Sequence, residues 1–130
     1  MDLALSIKLL RENAGEWGID KDKIVVCGFS AGEHLCASLC TLWNNEALFS
    51  PSEIQSAIFK PNASVLCSAI LTARVPYCRN FLAAFAGDGY PERLGLVSCD
   101  EQVNEKTPPA FLYCTFEDRL TDAENVWPGS

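Results

Sequence analysis

Ile24-Val25-Val26-Cys27-Gly28 is a short continuous apolar run that passes, without a spacer, through Phe29-Ser30-Ala31-Gly32 into a stretch of helical periodicity. A β-branched run of this length, bounded by the charged turn Asp20–Lys23, reads as a strand buried on both faces, as in a parallel sheet. From Ala31 to Trp43 the apolar residues recur at helical spacing. Leu35, Leu39 and Leu42 form one stripe, with Cys36, Cys40 and Trp43 beside it. Two further apolar runs, Ala63–Leu71 and Ala110–Cys114, read as strands. Helical patterns stand before and between them. Leu3, Ile7, Leu10, Ala14 and Trp17 mark an amphipathic helix from Asp2 to Glu16. Ser50-Pro51-Ser52-Glu53 is a helix start that should run to about Phe59, and Ser98-Cys99-Asp100-Glu101 repeats the capping pattern. Asn80–Ala86 suits a short helix. This alternation predicts the α/β class, with three parallel strands in sequential order in one sheet flanked by helices. The 130 residues fit one domain, and no linker or internal repeat divides them.

The net charge of −7 argues against nucleic acid and against an anionic membrane surface, because both need clustered Lys and Arg. No apolar run is long enough to span a bilayer, and Met1–Leu10 lacks the basic start of a secretion signal. The seven cysteines are an odd number without a Cys-x-x-Cys pair, so no disulfide framework is indicated. Cys27, Cys67 and Cys114 sit inside apolar runs and read as small buried hydrophobes in a reducing compartment, which predicts a cytoplasmic protein. With a single histidine and no ligand spacing, neither a metal nor a cofactor is expected.

Gly28-Phe29-Ser30-Ala31-Gly32 is a Gly-x-Ser-x-Gly pattern, and its context makes it specific. It follows a strand directly and opens a helix, the setting in which a serine hydroxyl is forced to project from the edge of a sheet as a nucleophile. Gly28 and Gly32 are expected to remove side chains that would collide where the chain closes on itself. The Ala31 N–H, at a helix N-terminus, is the expected oxyanion donor. An ordinary strand-to-helix turn capped by a serine is the plainer alternative.

Gly18-Ile19-Asp20, the run Ile24 to Gly32, and His34-Leu35 together resemble the centre of bacterial acetyl-xylan-esterase-like hydrolases of the α/β-hydrolase superfamily. Downstream, Thr107-Pro108-Pro109-Ala110-Phe111-Leu112 is similar to the entry into the strand before that family's acidic triad member. Glu117-Asp118 with Glu124-Asn125 resembles the acid loop. The resemblance implies a serine hydrolase of carboxylic esters, acting on a small-molecule or carbohydrate ester such as an acetylated sugar. Ser30 would be its nucleophile and Asp118, rather than Glu117, its acid. Thr72–Gly95 matches poorly.

Three departures accompany the resemblance. Glu33 stands where the family has a second glycine, and would disfavour an oxyanion if it points inward. The family's catalytic histidine lies beyond the last residue of this chain, and its His-Gly-Gly oxyanion loop lies before the first. His34, four residues after Ser30 on the same helix, is in the wrong register for a base that must bridge serine and carboxylate. The chain therefore reads as a single, incomplete α/β-hydrolase domain over residues 1–130 that would be inactive alone. A non-catalytic truncated remnant and a small α/β binding module remain as alternatives. The strand at 23–28 is also expected to form an open edge through which the chain self-associates.

Overall fold

In the computed structural model, residues 2–68 and 70–114 are described. The N-terminal helical pattern forms not one helix but two, α1 (Asp2–Glu12) and α2 (Ala14–Trp17). Asn13 breaks it: the side-chain amide donates to the Leu9 carbonyl, and the residue leaves helical geometry. Gly18 then ends α2 at φ 66°, a left-handed conformation that glycine adopts without a Cβ penalty. Ala4, Ile7 and Ala14 are buried as the spacing requires, but Trp17 falls past the break and is exposed.

The strands are β1 (Val25–Phe29), β2 (Ala63–Cys67) and β3 (Ala110–Tyr113). They form one parallel sheet in the order β1-β2-β3, with Val25 opposite Ala63 and Ser64 opposite Ala110. Between β1 and β2 lie α3 (Ala31–Leu42) and α4 (Pro51–Ser56). The capping box expected at α4 is present: the Glu53 carboxylate accepts from the Ser50 N–H (2.9 Å) and hydroxyl (2.7 Å). Between β2 and β3 lie α5 (Pro76–Ala86), a turn of 3-10 helix (Gly87–Gly89), α6 (Leu94–Val97) and α7 (Cys99–Gln102). α5 is longer than the sequence pattern suggests because Pro76 supplies a ready-made first helical position. β2 is shorter than its apolar run: it ends at Cys67, and Ser68 turns to φ 61°.

The expectation of strands buried on both faces is overturned. Along β1, Val26 and Gly28 are buried while Val25, Cys27 and Phe29 are exposed; Phe111 and Tyr113 of β3 are exposed too. Phe29 is 69% and Phe111 65% accessible. The cause is that α3 packs against β1 and β2 while α1 and α7 pack against α3, so the main core lies on one side of the sheet. Small side chains on α3 (Cys36, Ala37, Cys40) allow that close approach, and they rather than Leu35 form its buried stripe. Cys27, expected to be buried, is exposed by the same one-sidedness, Cys114 is half-buried, and Cys67 is buried as expected. A second, smaller cluster of Ile70, Ala73, Cys78 and Leu82 lies under α5 and α6.

Candidate active site

Ser30 stands alone between β1 and α3. Its backbone, at φ 53° and ψ −122°, is in a region that non-glycine residues rarely occupy. Such a conformation costs about 1–3 kcal/mol and persists only where the surroundings impose it. Here they do. The Ser30 N–H donates to the Cys67 carbonyl of the neighbouring strand (3.2 Å), while its own carbonyl accepts from Glu33 (3.0 Å) and His34 (3.2 Å) in the first turn of α3. Ser30 is exposed, at the carboxyl end of a parallel sheet, where open α/β folds place their ligands. Ala31 opens α3, and the first N–H groups of a helix have no acceptor within it.

The two glycines of the pattern have different reasons. A Cβ on Gly28 would lie 2.4 Å from the Gly32 carbonyl oxygen and 2.6 Å from the Glu33 nitrogen, so only glycine lets β1 pass under the start of α3. A Cβ on Gly32 would meet nothing within 4 Å. The collision expected there does not exist, because Gly32 faces open space above the turn.

Glu33 is fully buried. Burial pushes the Cys36 thiol up and the Cys99 thiol up to about 12, and the Glu33 charge is a smaller contribution to both. His34 is buried as well. Its Nε2–H donates to the Val97 carbonyl at 2.7 Å and its ring stacks on Phe85 at 4.6 Å between centroids. Desolvation lowers its pKa against a smaller opposing effect of the Val97 carbonyl, which keeps the ring neutral. With that nitrogen committed to Val97, His34 ties α3 to the segment after β2. Asp118 and Glu117 lie outside the described residues.

One polar cluster was missed by sequence reasoning. Asp100, whose side chain is buried, accepts from Ser98 Oγ (2.7 Å) and Thr72 Oγ1 (2.9 Å) and pairs with Arg74 Nε (3.4 Å). Ser98 Oγ in turn accepts from the Ala73 N–H (2.8 Å). The Ser98-x-Asp100 spacing looks like a helix cap in sequence, but α7 has no side-chain cap, and both side chains instead pin residues 72–74. Two cavities open elsewhere. One of about 450 Å³ lies at the amino ends of the strands, beside Arg11, Asn62 and Pro109. An apolar one of about 180 Å³ lies between α1 and α3. Neither is lined by Ser30. Among the described residues no three His, Cys, Asp or Glu side chains converge as metal ligands would, and no helix is long and apolar enough to cross a membrane.

Residues 1–75, which include the Ser30 turn, match the BD-FAE family. The chain belongs to the BD-FAE family. It is an esterase-like α/β-hydrolase by sequence and by fold. Endo-1,4-beta-xylanase B of Butyrivibrio fibrisolvens is 30% identical over 127 residues, 97% of this chain and 20% of that protein. Acetylxylan esterase of Xylanibacter ruminicola is 31% identical over 127 residues, 92% of this chain and 23% of that protein. The crystal structure of an acetyl ester-xyloside bifunctional hydrolase from Caldicellulosiruptor lactoaceticus superposes with a TM-score of 0.68 at 25% identity, over 95% of this chain and 47% of that one. This BD-FAE chain thus spans about a fifth to a quarter of those two curated relatives and just under half of the solved hydrolase.

Proposed function

We propose that this BD-FAE chain carries the nucleophile of a carboxylic-ester hydrolase acting on acyl groups, acetyl above all, borne by a sugar. The observation that carries the reading is the strained, exposed Ser30 turn in a chain of an esterase family. Ser30 Oγ attacks the acyl carbon, and its proton passes to a histidine. That histidine is not His34, whose Nε2 is held by Val97, and no other histidine is among these 130 residues. The oxyanion of the tetrahedral intermediate is received by the Ala31 N–H. The sugar hydroxyl departs with the proton, and water then releases the acyl group from Ser30. Asp118 orients the histidine. The acetyl and sugar preference rests on the two relatives whose names carry acetylated xylan or xyloside chemistry. An odd number of cysteines without a Cys-x-x-Cys pair suits the cytoplasm.

The test is covalent. The full-length protein should be labelled at Ser30 by a fluorophosphonate and should release acetate from acetylated xylan, and Ser30→Ala should abolish both. The 130-residue chain alone should turn over small acetates little, because loss of the base cripples a triad. Labelling that survives Ser30→Ala would remove the nucleophile from this turn.

A further inference from the structure

Thr72–Gly95, the stretch that resembles the family poorly, carries a row of aromatic rings that the proposed chemistry does not use. Tyr77, Phe81 and Phe85 recur every fourth residue on α5 and therefore line one face of it. They are 46%, 43% and 42% accessible, although Cys78, Leu82 and Ala86, each one residue further on and about 100° around the helix, are buried. Tyr77 and Phe81 meet edge to face at 5.3 Å between centroids. At the other end Phe85 stacks on His34, one helical turn from Ser30. The row is about 12 Å long, at 1.5 Å per residue over eight residues.

Its place is set by topology and by two tethers. The chain leaves β2 at the same end of the sheet as Ser30, because the strands are parallel. The His34–Val97 bond ties α6 to the start of α3, and Asp100 holds Thr72 and Arg74 just before α5. The row therefore has one end, Phe85, against His34 of α3, one helical turn past Ser30, and its other end, Tyr77, at the start of α5. Exposed polar side chains lie near it: Asn80 follows Tyr77 by three residues on α5, and Asp88 stands just past the end of the helix. Half-exposed ring faces and edges beside amide and carboxylate acceptors suit a ligand with apolar C–H faces and hydroxyl edges, which is a pyranose. They suit an acyl chain or a lipid surface less well, since the polar flanks would be desolvated without partners. The net charge of −7 disfavours an anionic ligand.

We propose that Tyr77, Phe81 and Phe85 form a stacking platform for the sugar chain that bears the ester, with Phe85 and His34 marking the end nearest Ser30. This deepens, and rests on, the assignment of Ser30 as the nucleophile of a sugar-ester hydrolase.

Two measurements on the full-length protein test it. In a Ser30→Ala background, xylotetraose binding by calorimetry should weaken about three- to tenfold for each of Tyr77→Ala and Phe81→Ala, the size of one lost aromatic contact, and Phe81→Tyr should restore it. In the active protein the same alanine variants should lower kcat/KM for acetylated xylotetraose by that factor more than for p-nitrophenyl acetate. Aromatic-dependent xylotetraose binding without any Ser30-dependent turnover would keep the platform and remove the hydrolase reading. Xylotetraose binding unaffected by either alanine, or equal losses toward the sugar ester and the small ester, would overturn the platform.

Discussion

Gly28→Ala and Gly32→Ala are the same chemical change at two glycines four residues apart, and the structure gives them opposite signs. At Gly28 the new methyl lies 2.4 Å from the Gly32 carbonyl oxygen, against 3.4 Å for ordinary contact, so α3 must retreat from β1 by roughly 1 Å (3.4 − 2.4). The obstructing atoms are backbone and cannot rotate away. They also belong to the turn that holds Ser30 at φ 53°. Overpacking of this kind costs about 1–3 kcal/mol, and with a rigid obstruction the upper end applies, which lowers Tm by about 10 °C in a chain of this size. At Gly32 the methyl meets nothing, and the residue lies in the first turn of a helix, where alanine is favoured over glycine by up to about 1 kcal/mol. Thermal unfolding followed by far-UV circular dichroism should therefore show Gly28→Ala strongly destabilised and Gly32→Ala unchanged or slightly raised. Equal losses at both positions would refute the claim that close approach, at Gly28 alone, sets the glycine requirement of the fold.

Arg11 donates to the carbonyls of Lys21, Ala57, Ile58 and Lys60 and to Asn62 Oδ1, so Arg11→Met should cost about 3 kcal/mol in urea unfolding; a cost below about 1 kcal/mol would show these bonds to be replaceable by water. Burial lowers the His34 pKa in the folded chain below 6.5, so the unfolded chain binds the proton first. Stability is then full above 6.5 and falls as pH drops from there toward the lowered value. The urea midpoint should fall across that window, and His34→Gln, whose amide can still donate to Val97, should flatten the fall. The open edge of β1 and the exposed Val25, Phe29, Phe111 and Tyr113 should drive the isolated 130-residue chain to self-associate, each buried side chain contributing about 1.5–3 kcal/mol; light scattering that shows a monomer across a dilution series would sink this.

The parallel three-stranded order, the α4 cap and the place of Ser30 between strand and helix were legible because each rests on local spacing: an apolar run, a capping pattern, a glycine before a tight turn. The errors have different causes. Whether Val25, Cys27 and Phe29 are covered depends on where distant helices pack, and an apolar run carries no record of that. Trp17 has a local cause: it keeps helical spacing on paper but lies beyond the break made by the Asn13 side chain. Gly32 was given the reason that belongs to Gly28, since sequence shows two glycines and not which of them faces backbone.

Asp100 and His34 were illegible for a further reason, and it is one that joins fold to function. Thr72 lies 28 residues from Asp100 and Val97 lies 63 from His34, so no spacing rule reaches them. Each saturates a polar group that would otherwise be orphaned in the interior: the carboxylate accepts two hydroxyls and a guanidinium, and the imidazole N–H finds the last carbonyl of α6. A buried polar pair satisfied in only one geometry is costly to break, because removing one partner strands the other. The satellite core under α5, built from Ile70, Ala73, Cys78 and Leu82, is too small to fix its own position against the sheet. Asp100 closes the two ends of the 72–100 segment on each other, and the His34–Val97 bond fixes that closed segment to α3. His34 is thereby the residue through which α3, the helix that follows Ser30, and α5 are held in one register, and a change at either tether should be felt at Ser30 through that register without touching Ser30 itself.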